Sequence, residues 1–133
     1  MAAVEFAMLL PLLVALLFGF IQFGVAFNDR IQATNAAREA ARMAVVGIDD
    51  WSDIGGSGNT FWEVVRSQAG VGSISNCSLD TDGVVGGTVT VSFDFPLNIV
   101  IPFVSSPPTW QTGTARASMR IERLSVPGSP GGC

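Results

Sequence analysis

The chain begins with a long apolar run, and its later segments show other hydrophobic periods. Residues 6–27 contain no charged side chain, and Glu5 stands directly before them. At roughly 1.5 Å per residue, a helix of this length spans about 33 Å, which matches the apolar core of a bilayer. The run is longer than the apolar core of a secretory signal, so we expect a membrane-length helix that stays with the protein.

The same helix is predicted to continue past the membrane edge and to end at Gly47, a natural terminator. Residues 29–47 are rich in alanine, and their polar side chains fall on one side. The opposite side is predicted to carry an apolar stripe of Ile31, Ala37, Ala41, Ala44 and Val45, with Ala33, Ala36 and Ala40 close to its edge. The helix would therefore have a hydrophobic segment at 1–28 and an amphipathic half at 29–47.

Three residues are predicted to soften the apolar half. Pro11 lacks the amide that would bond to the carbonyl of Ala7, so a kink or local unwinding is expected at residues 7–11. Pro11 is either a functional softening point or a tolerated kink. Gly19 and Gly24 are further soft points, or positions where another helix approaches closely.

Residues 48–133 are predicted to form a small outer domain. Thr60 and Glu63 form a capping-box pattern in front of FWEVVRSQA, a short helix that Gly70 would close. Its apolar side chains are expected to pack against a sheet; they are Phe61, Val64, Val65 and Trp62.

The sheet is predicted from segments with a period of two. TVTVSFDF (88–95) alternates apolar and polar residues, and so does TGTARASMRIERL (112–124). The small inward residues of the second segment suit a sheet face laid close to the alanine-rich half of the helix. A third strand is expected around residues 73–79. The fold class is therefore α+β, with a long helix at 1–47 packed on a small antiparallel sheet.

Composition argues against several functions. The chain has no Lys and no His, and its formal net charge is −4, so it offers no basic patch for phosphate backbones. No nucleophile, phosphate-loop or zinc-protease motif occurs. We therefore expect no enzymatic activity, no cofactor and no nucleic acid as main partner.

The acidic loop could in principle bind a metal. Asp49, Asp50 and Asp53, with Asn59 nearby, could ligate calcium, but a solvated loop is the preferred interpretation, and no metal site is predicted. Asp80 and Asp82 are assigned to a turn.

The two cysteines, Cys77 and Cys133, favour one disulfide in an exported, oxidised domain. It would close a loop of about 57 residues, which the chain-entropy model values at roughly 4 kcal/mol. Two unpaired buried thiols are the alternative.

Glu5 sits where a carboxylate is costly in lipid and therefore needs a partner. The segment AAVEFAMLLPLLVALLFGFIQFGVAF resembles the start of TadE-like pilins of the Tad (tight adherence, Flp-type) pilus systems. NAAREAAR, TVTVSFDFPLNIVIP and TARASMRIE agree with this resemblance, which extends over nearly the whole chain and implies a type IV pilin-like fold. A snorkelling end residue of an ordinary anchor is the other interpretation of Glu5.

The resemblance implies how such a chain is processed and assembled. A prepilin peptidase would remove a short basic leader just before Met1, and the N-terminus of the mature chain would be methylated. Glu5, beside Phe6, would then meet the Met1 ammonium of a neighbouring subunit, which sets the register of the filament.

The expected function is a structural subunit of a surface filament, a homo-oligomer that serves adhesion, aggregation or DNA uptake. The resemblance implies a cytoplasmic ATPase, a stay in the cytoplasmic membrane before assembly and an extracellular pilus afterwards. Two alternatives remain open: a minor pseudopilin that initiates or tips a pilus, and a single-pass membrane protein with an outer binding domain that never polymerises.

Overall fold

The computed structural model describes residues 2–46, 60–97 and 112–122 together with Cys133. Its elements, in chain order, are α1 (Ala2–Val46), α2 (Phe61–Ala69), β1 (Ser75–Thr81), β2 (Thr88–Pro96) and β3 (Thr112–Arg120). This layout confirms the predicted α+β class of a long N-terminal helix, a short helix and a small antiparallel sheet. The predicted helix end at Gly47 and the acidic loop with Asp49, Asp50, Asp53 and Asn59 lie outside the described residues.

The large apolar side chains in the first half of α1 are not covered by the rest of the described chain. Every large apolar side chain between Val4 and Phe27 is exposed, by 41% to 77%. The helix continues through Pro11 without an unwound turn. We call residues 3–27 the apolar half.

The second half of α1 is buried through small side chains. Six alanines are between 0% and 3% exposed, and we call them the alanine stripe: Ala33, Ala36, Ala37, Ala40, Ala41 and Ala44. With 100° per residue they cover an arc of roughly 140°. The prediction placed Ile31 and Val45 within the stripe, which is wrong for Ile31, because that side chain is 46% exposed. Val45 is half-buried. Ala33 and Ala40 lie near the centre of the stripe, and Ala36 lies at its edge.

The sheet has the order β1-β2-β3, with both pairs antiparallel. The four inward residues of β2 are at most 1% exposed, as the alternation predicts: Val89, Val91, Phe93 and Phe95. Across β3, Phe93 faces Ala115 and Val91 faces Ala117. These small residues let α1 pack closely on β2 and β3, so the sheet lies against the alanine stripe.

Gly113 shows how tightly this layer is packed. It lies opposite Phe95 in the β2–β3 register. A Cβ added at Gly113 would come within 2.6 Å of the ring of Phe95. The absence of a side chain at this position is therefore required by the aromatic ring beside it.

The capping box of α2 is present as predicted. The backbone amide of Thr60 donates to Glu63 Oε2 at 2.8 Å, and the amide of Glu63 donates to Thr60 Oγ1 at 3.4 Å. Gly70 closes the helix in the left-handed conformation, with a φ of 61°. Hydrogen bonds from the Thr60 backbone, and then from its side chain, lower the pKa of Glu63.

The packing partner of α2 differs from the prediction. Phe61, Trp62 and Val65 are buried as expected, but α2 lies mainly against α1 rather than against the sheet. A Cβ added at Gly70 would overlap the side chain of Gln32, so the end of α2 lies directly beside α1. The alanine stripe is wide enough to accept the sheet on one side and α2 on the other, which leaves α2 beside the helix.

Cys77 on β1 and the last residue, Cys133, are joined by a disulfide with a Cα–Cα distance of 5.6 Å. This geometry fits the predicted bridge and ties the final residue of the chain to an edge strand. The strand that carries Cys77 begins at Ser75 and ends at Thr81, two residues later than predicted.

Candidate functional site

The predicted assembly residues lie at the start of α1. Glu5 is in the first turn, where the free amides of a helix N-terminus favour a negative charge. Its side chain is exposed and has no hydrogen bond or ion pair within the described part of the chain. Phe6 next to it is 58% exposed. Met1 lies outside the described residues, so its position relative to Glu5 stays a prediction.

The apolar half behind Glu5 is a continuous hydrophobic surface. It meets the length and composition criteria for crossing a membrane, with a mean hydropathy of 2.5 over its most apolar 18 residues, none of which is buried. A soluble monomer rarely exposes so large an apolar surface, which marks a contact with lipid or with other protein. This surface has the properties of a membrane-embedded or helix-packing segment.

The residues predicted as soft points lie on this surface. A Cβ added at Gly19 or Gly24 would have no neighbour within 4 Å, so neither glycine is required by contacts within the described chain. Small residues on an exposed helix let another helix approach closely. Pro11 lies in continuous helix, and its role as a softening point stays a prediction.

A groove lies on α1 just beyond the apolar half, and the hydrophobic pattern of the sequence did not predict it. It has a volume of about 240 Å³ and is lined by Phe27, Arg30, Ile31, Thr34, Asn35 and Arg38. The signal in the sequence is that Arg30, Ile31 and Arg38 follow Phe27 by three, four and eleven positions, which places all four on one helix face. Assigning Ile31 to the buried stripe obscured this signal.

The outer face of the sheet carries a polar network that serves structure. Thr114 Oγ1 donates to Asp94 Oδ1 at 2.6 Å, and Asn76 Nδ2 donates to Asp94 Oδ2 at 2.8 Å. These hydrogen bonds, with that of Thr114 the larger influence, lower the pKa of Asp94. The carboxylate connects all three strands, because Asn76 lies on β1 and Thr114 on β3.

The described residues do not bring metal-binding side chains together. Within residues 2–46, 60–97 and 112–122, no group of three His, Cys, Asp or Glu side chains is close enough to hold an ion. Asp82 lies in the predicted turn, where its Oδ2 accepts a hydrogen bond from the amide of Thr88 at 2.9 Å. Asp80 instead lies on β1.

A membrane-length helix joined to a small α+β domain is the layout that the resemblance to TadE-like pilins implies. The family model described as TadE-like protein matches residues 1–42. The predicted resemblance is therefore confirmed over the segment that contains Glu5, the apolar half and most of the alanine stripe. No curated protein and no solved structure matches the chain significantly. The TadE-like segment points to a Tad pilus-associated protein, and the apolar helix fits association with a membrane.

Proposed function

We propose that this chain is a structural subunit, a pilin, of a Tad or type IV-like surface filament. One combined observation carries the proposal: the TadE-like match covers residues 1–42, and every large apolar side chain of the apolar half in that segment is exposed. The apolar half holds the subunit in the cytoplasmic membrane until assembly. The outer α+β domain then becomes part of an extracellular fibre.

The physical difficulty of such a filament is register. Lipid tails are as apolar as leucine, so moving the apolar half from lipid into a helical bundle gives little hydrophobic gain. Packing alone also allows helices to slide past one another. A buried ion pair prevents this, since breaking one by removing a partner is destabilising by about 3–5 kcal/mol.

Glu5 is the acidic member of that pair in our proposal, and the Met1 amine of a neighbouring copy is the basic member. Glu5 is exposed at the start of the apolar half and makes no ion pair within the described residues. A slip by one helical turn would leave two unpaired charges in a dry environment. The pair therefore fixes the axial step between subunits.

The proposal includes further partners. A membrane-embedded prepilin peptidase frees the Met1 amine, and a cytoplasmic ATPase drives extraction from the bilayer. The filament serves adhesion, aggregation or DNA uptake, and the subunit itself performs no catalysis and uses no cofactor.

The charge-pair mechanism is tested with Glu5→Ala and with Glu39→Ala as the matched control. Glu39 is a second carboxylate on the same helix. Its side chain is 45% exposed and lies 3.5 Å from the guanidinium of Arg42 in an i,i+3 pair, which contributes little. We expect Glu5→Ala to lower the yield of sheared fibres at least about tenfold, while membrane insertion stays normal. Unchanged fibre yield in Glu5→Ala would contradict the mechanism.

The role of the subunit is tested by its abundance and its N-terminus. A processed chain that starts at Met1, with or without a methyl group, and that dominates the fibres supports the major-pilin role. Trace amounts in fibres would indicate a minor pseudopilin. A chain that is found only in membranes would indicate a non-polymerising anchor protein, and the proposal would then be wrong.

A further inference from the structure

The groove on α1 combines two apolar side chains, Phe27 and Ile31, with two basic ones, Arg30 and Arg38. Phe27 is 56% exposed and Ile31 is 46% exposed, so both side chains are available for contact. Thr34 donates its hydroxyl to the carbonyl of Arg30 at 2.8 Å, which satisfies the one hydroxyl in the groove from within the helix. We call this surface the docking groove, with the six lining residues given above.

The two arginines of the docking groove lack anionic partners in the described chain. Within residues 2–46, 60–97 and 112–122, the ion pair is that of Arg42 with Glu39, and neither Arg30 nor Arg38 takes part in one. Both side chains are exposed. The groove therefore presents two positive charges beside two apolar side chains, and its complement is an apolar tip with two negative charges.

The hairpin between β1 and β2 has this complementary character. Its tip exposes Val84 by 58% and Val85 by 50%. Asp80 and Asp82 precede the tip and are exposed as well. The hairpin thus presents two apolar side chains and two carboxylates within residues 80–85. The carboxylate of Asp82 also accepts a hydrogen bond from the amide of Thr88, and the guanidinium of Arg120 lies beside Gly86, so Asp80 offers the freer negative charge.

The hairpin tip is held in a fixed shape. The amide of Gly86 donates to the carbonyl of Ile121 at 2.8 Å, and that of Gly87 donates to the carbonyl of Val84 at 2.9 Å. Gly86 has a φ of 89°, which a residue with a side chain rarely adopts. Because the tip is ordered in advance, docking would require little further loss of conformational entropy.

We propose that the β1–β2 hairpin of one copy docks into the α1 groove of a second copy. The valines contact Phe27 and Ile31, while the aspartates face the two arginines. The inference rests on the proposed filament function. The docked hairpin would extend the contacts of the filament core outward, because Phe27 is both the last large residue of the apolar half and the first residue of the groove.

The geometry of this contact suits an open assembly. Groove and hairpin are different surfaces of the same chain, so each copy can offer its hairpin to one neighbour and its groove to another. Such a heterologous contact continues into a helical filament unless its rotation closes a ring. The contact is small, so it adds orientation to the helix packing and does not hold a pair of copies by itself.

The test uses a photo-crosslinker in fibres that mix unlabelled and isotope-labelled copies. With Val84→p-benzoylphenylalanine, we expect crosslinks between copies that map to residues 27–38. Gln68→p-benzoylphenylalanine, at an exposed position on α2, is the matched control and should give no crosslink to that segment.

Charge reversal sharpens the test. Arg38→Glu and Asp80→Arg should each lower the crosslink yield about threefold to tenfold, and the double variant should restore much of it. Arg66→Glu, which reverses an exposed charge on α2, should leave the yield unchanged. Restoration by the double variant distinguishes a direct contact from a loss of folding.

Different failures have different meanings. If fibres form and depend on Glu5, but crosslinks map elsewhere or ignore the charge reversals, docking is wrong and the filament function stands. The same conclusion follows if Arg38→Glu weakens binding to phosphatidylglycerol vesicles while the crosslinks persist. If the chain is absent from fibres, both proposals are wrong.

Discussion

The two halves of α1 belong to one continuous helix but solve opposite packing problems. The apolar half exposes large side chains, whereas the alanine stripe buries small ones at 0% to 3% exposure. Large side chains offer contact area to lipid or to neighbouring helices. Alanines instead let the sheet and α2 approach the helix axis closely. Side-chain size therefore distinguishes the exposed half of α1 from the half that is buried against the domain.

This comparison shows why hydrophobicity alone does not identify the core. The most hydrophobic part of the chain is highly exposed, and the core is built on a helix face with only one methyl group per residue. The large core residues come from the elements that pack on it, such as Phe61 on α2 and Phe93 and Phe95 on β2. The stability of the domain should depend on these contacts and very little on the apolar half.

The largest expected difference comes from truncating one phenylalanine in each region. Phe93→Ala removes a side chain that is 0% exposed, whereas Phe18→Ala removes one that is 52% exposed. We expect Phe93→Ala to lower the free energy of unfolding of the domain by about 3–5 kcal/mol and Phe18→Ala to leave it nearly unchanged.

Chemical denaturation of the full chain in detergent micelles, followed by tryptophan fluorescence, measures both values. Trp62 is buried in the domain and therefore reports on its unfolding. Equal losses for the two variants would mean that the apolar half contributes to the folded domain, and the comparison would fail.

A smaller difference is expected from enlarging one alanine in each half of α1. Ala40→Leu adds bulk where the native side chain is 0% exposed, and should destabilise the domain by about 1–3 kcal/mol. Ala15→Leu adds the same bulk at an exposed position and should have no such effect on the domain. The shift in melting temperature measured by circular dichroism in micelles would check this, and tolerance of Ala40→Leu would contradict the close packing.

The smallest expected effect is a dependence of the stability of the outer domain on pH in the acidic range. Asp94 has a lowered pKa in the folded chain, so its ionised form stabilises the fold at neutral pH, and this contribution is lost as the pH falls below 3.8, its ordinary value. Asp94→Asn should therefore lose stability at pH 7, and its difference from the wild type should shrink in acid. The control is Asp80→Asn, which changes a carboxylate that makes no hydrogen bond within the described residues. If the difference in unfolding free energy between Asp94→Asn and the wild type stayed constant across the titration, the linkage would be disproved.

Much of the domain could be predicted because its signals are local. The alternation of TVTVSFDF fixes which side of β2 is buried, and the capping box fixes where α2 begins. Both signals depend on neighbouring residues only. The bounds of β1 differ from the prediction by two residues because pairing with the adjacent strand, rather than the local pattern, decides where a strand ends.

The arrangement between elements could not be predicted in the same way. The apolar face of α2 is visible in the sequence, but the sequence does not say whether α1 or the sheet covers it. Ile31 fits the buried stripe by hydrophobicity, because it is more hydrophobic than alanine. At 100° per residue, Ile31 lies about 150° around the helix from the centre of the alanine stripe, on the face that the domain leaves uncovered, and it is 46% exposed.

The candidate sites divide along the same line. Glu5 stands out in the sequence because a charge beside an apolar run is unusual, and its position at the start of α1 needed no tertiary information. The docking groove required the fold, because its meaning depends on which face of α1 the domain leaves uncovered. The proposed site lies between two copies, so the sequence shows its two surfaces but not that they meet.

The unbroken course of α1 joins the apolar half to the alanine stripe in one continuous helix. Glu5 and Ala33 are 28 residue steps apart, a rise of about 42 Å. Each added or deleted residue between them would swing the outer domain by about 100° around the helix axis while leaving its own folding intact. The number of residues between Glu5 and the alanine stripe therefore sets the rotation of the domain about the helix axis relative to Glu5.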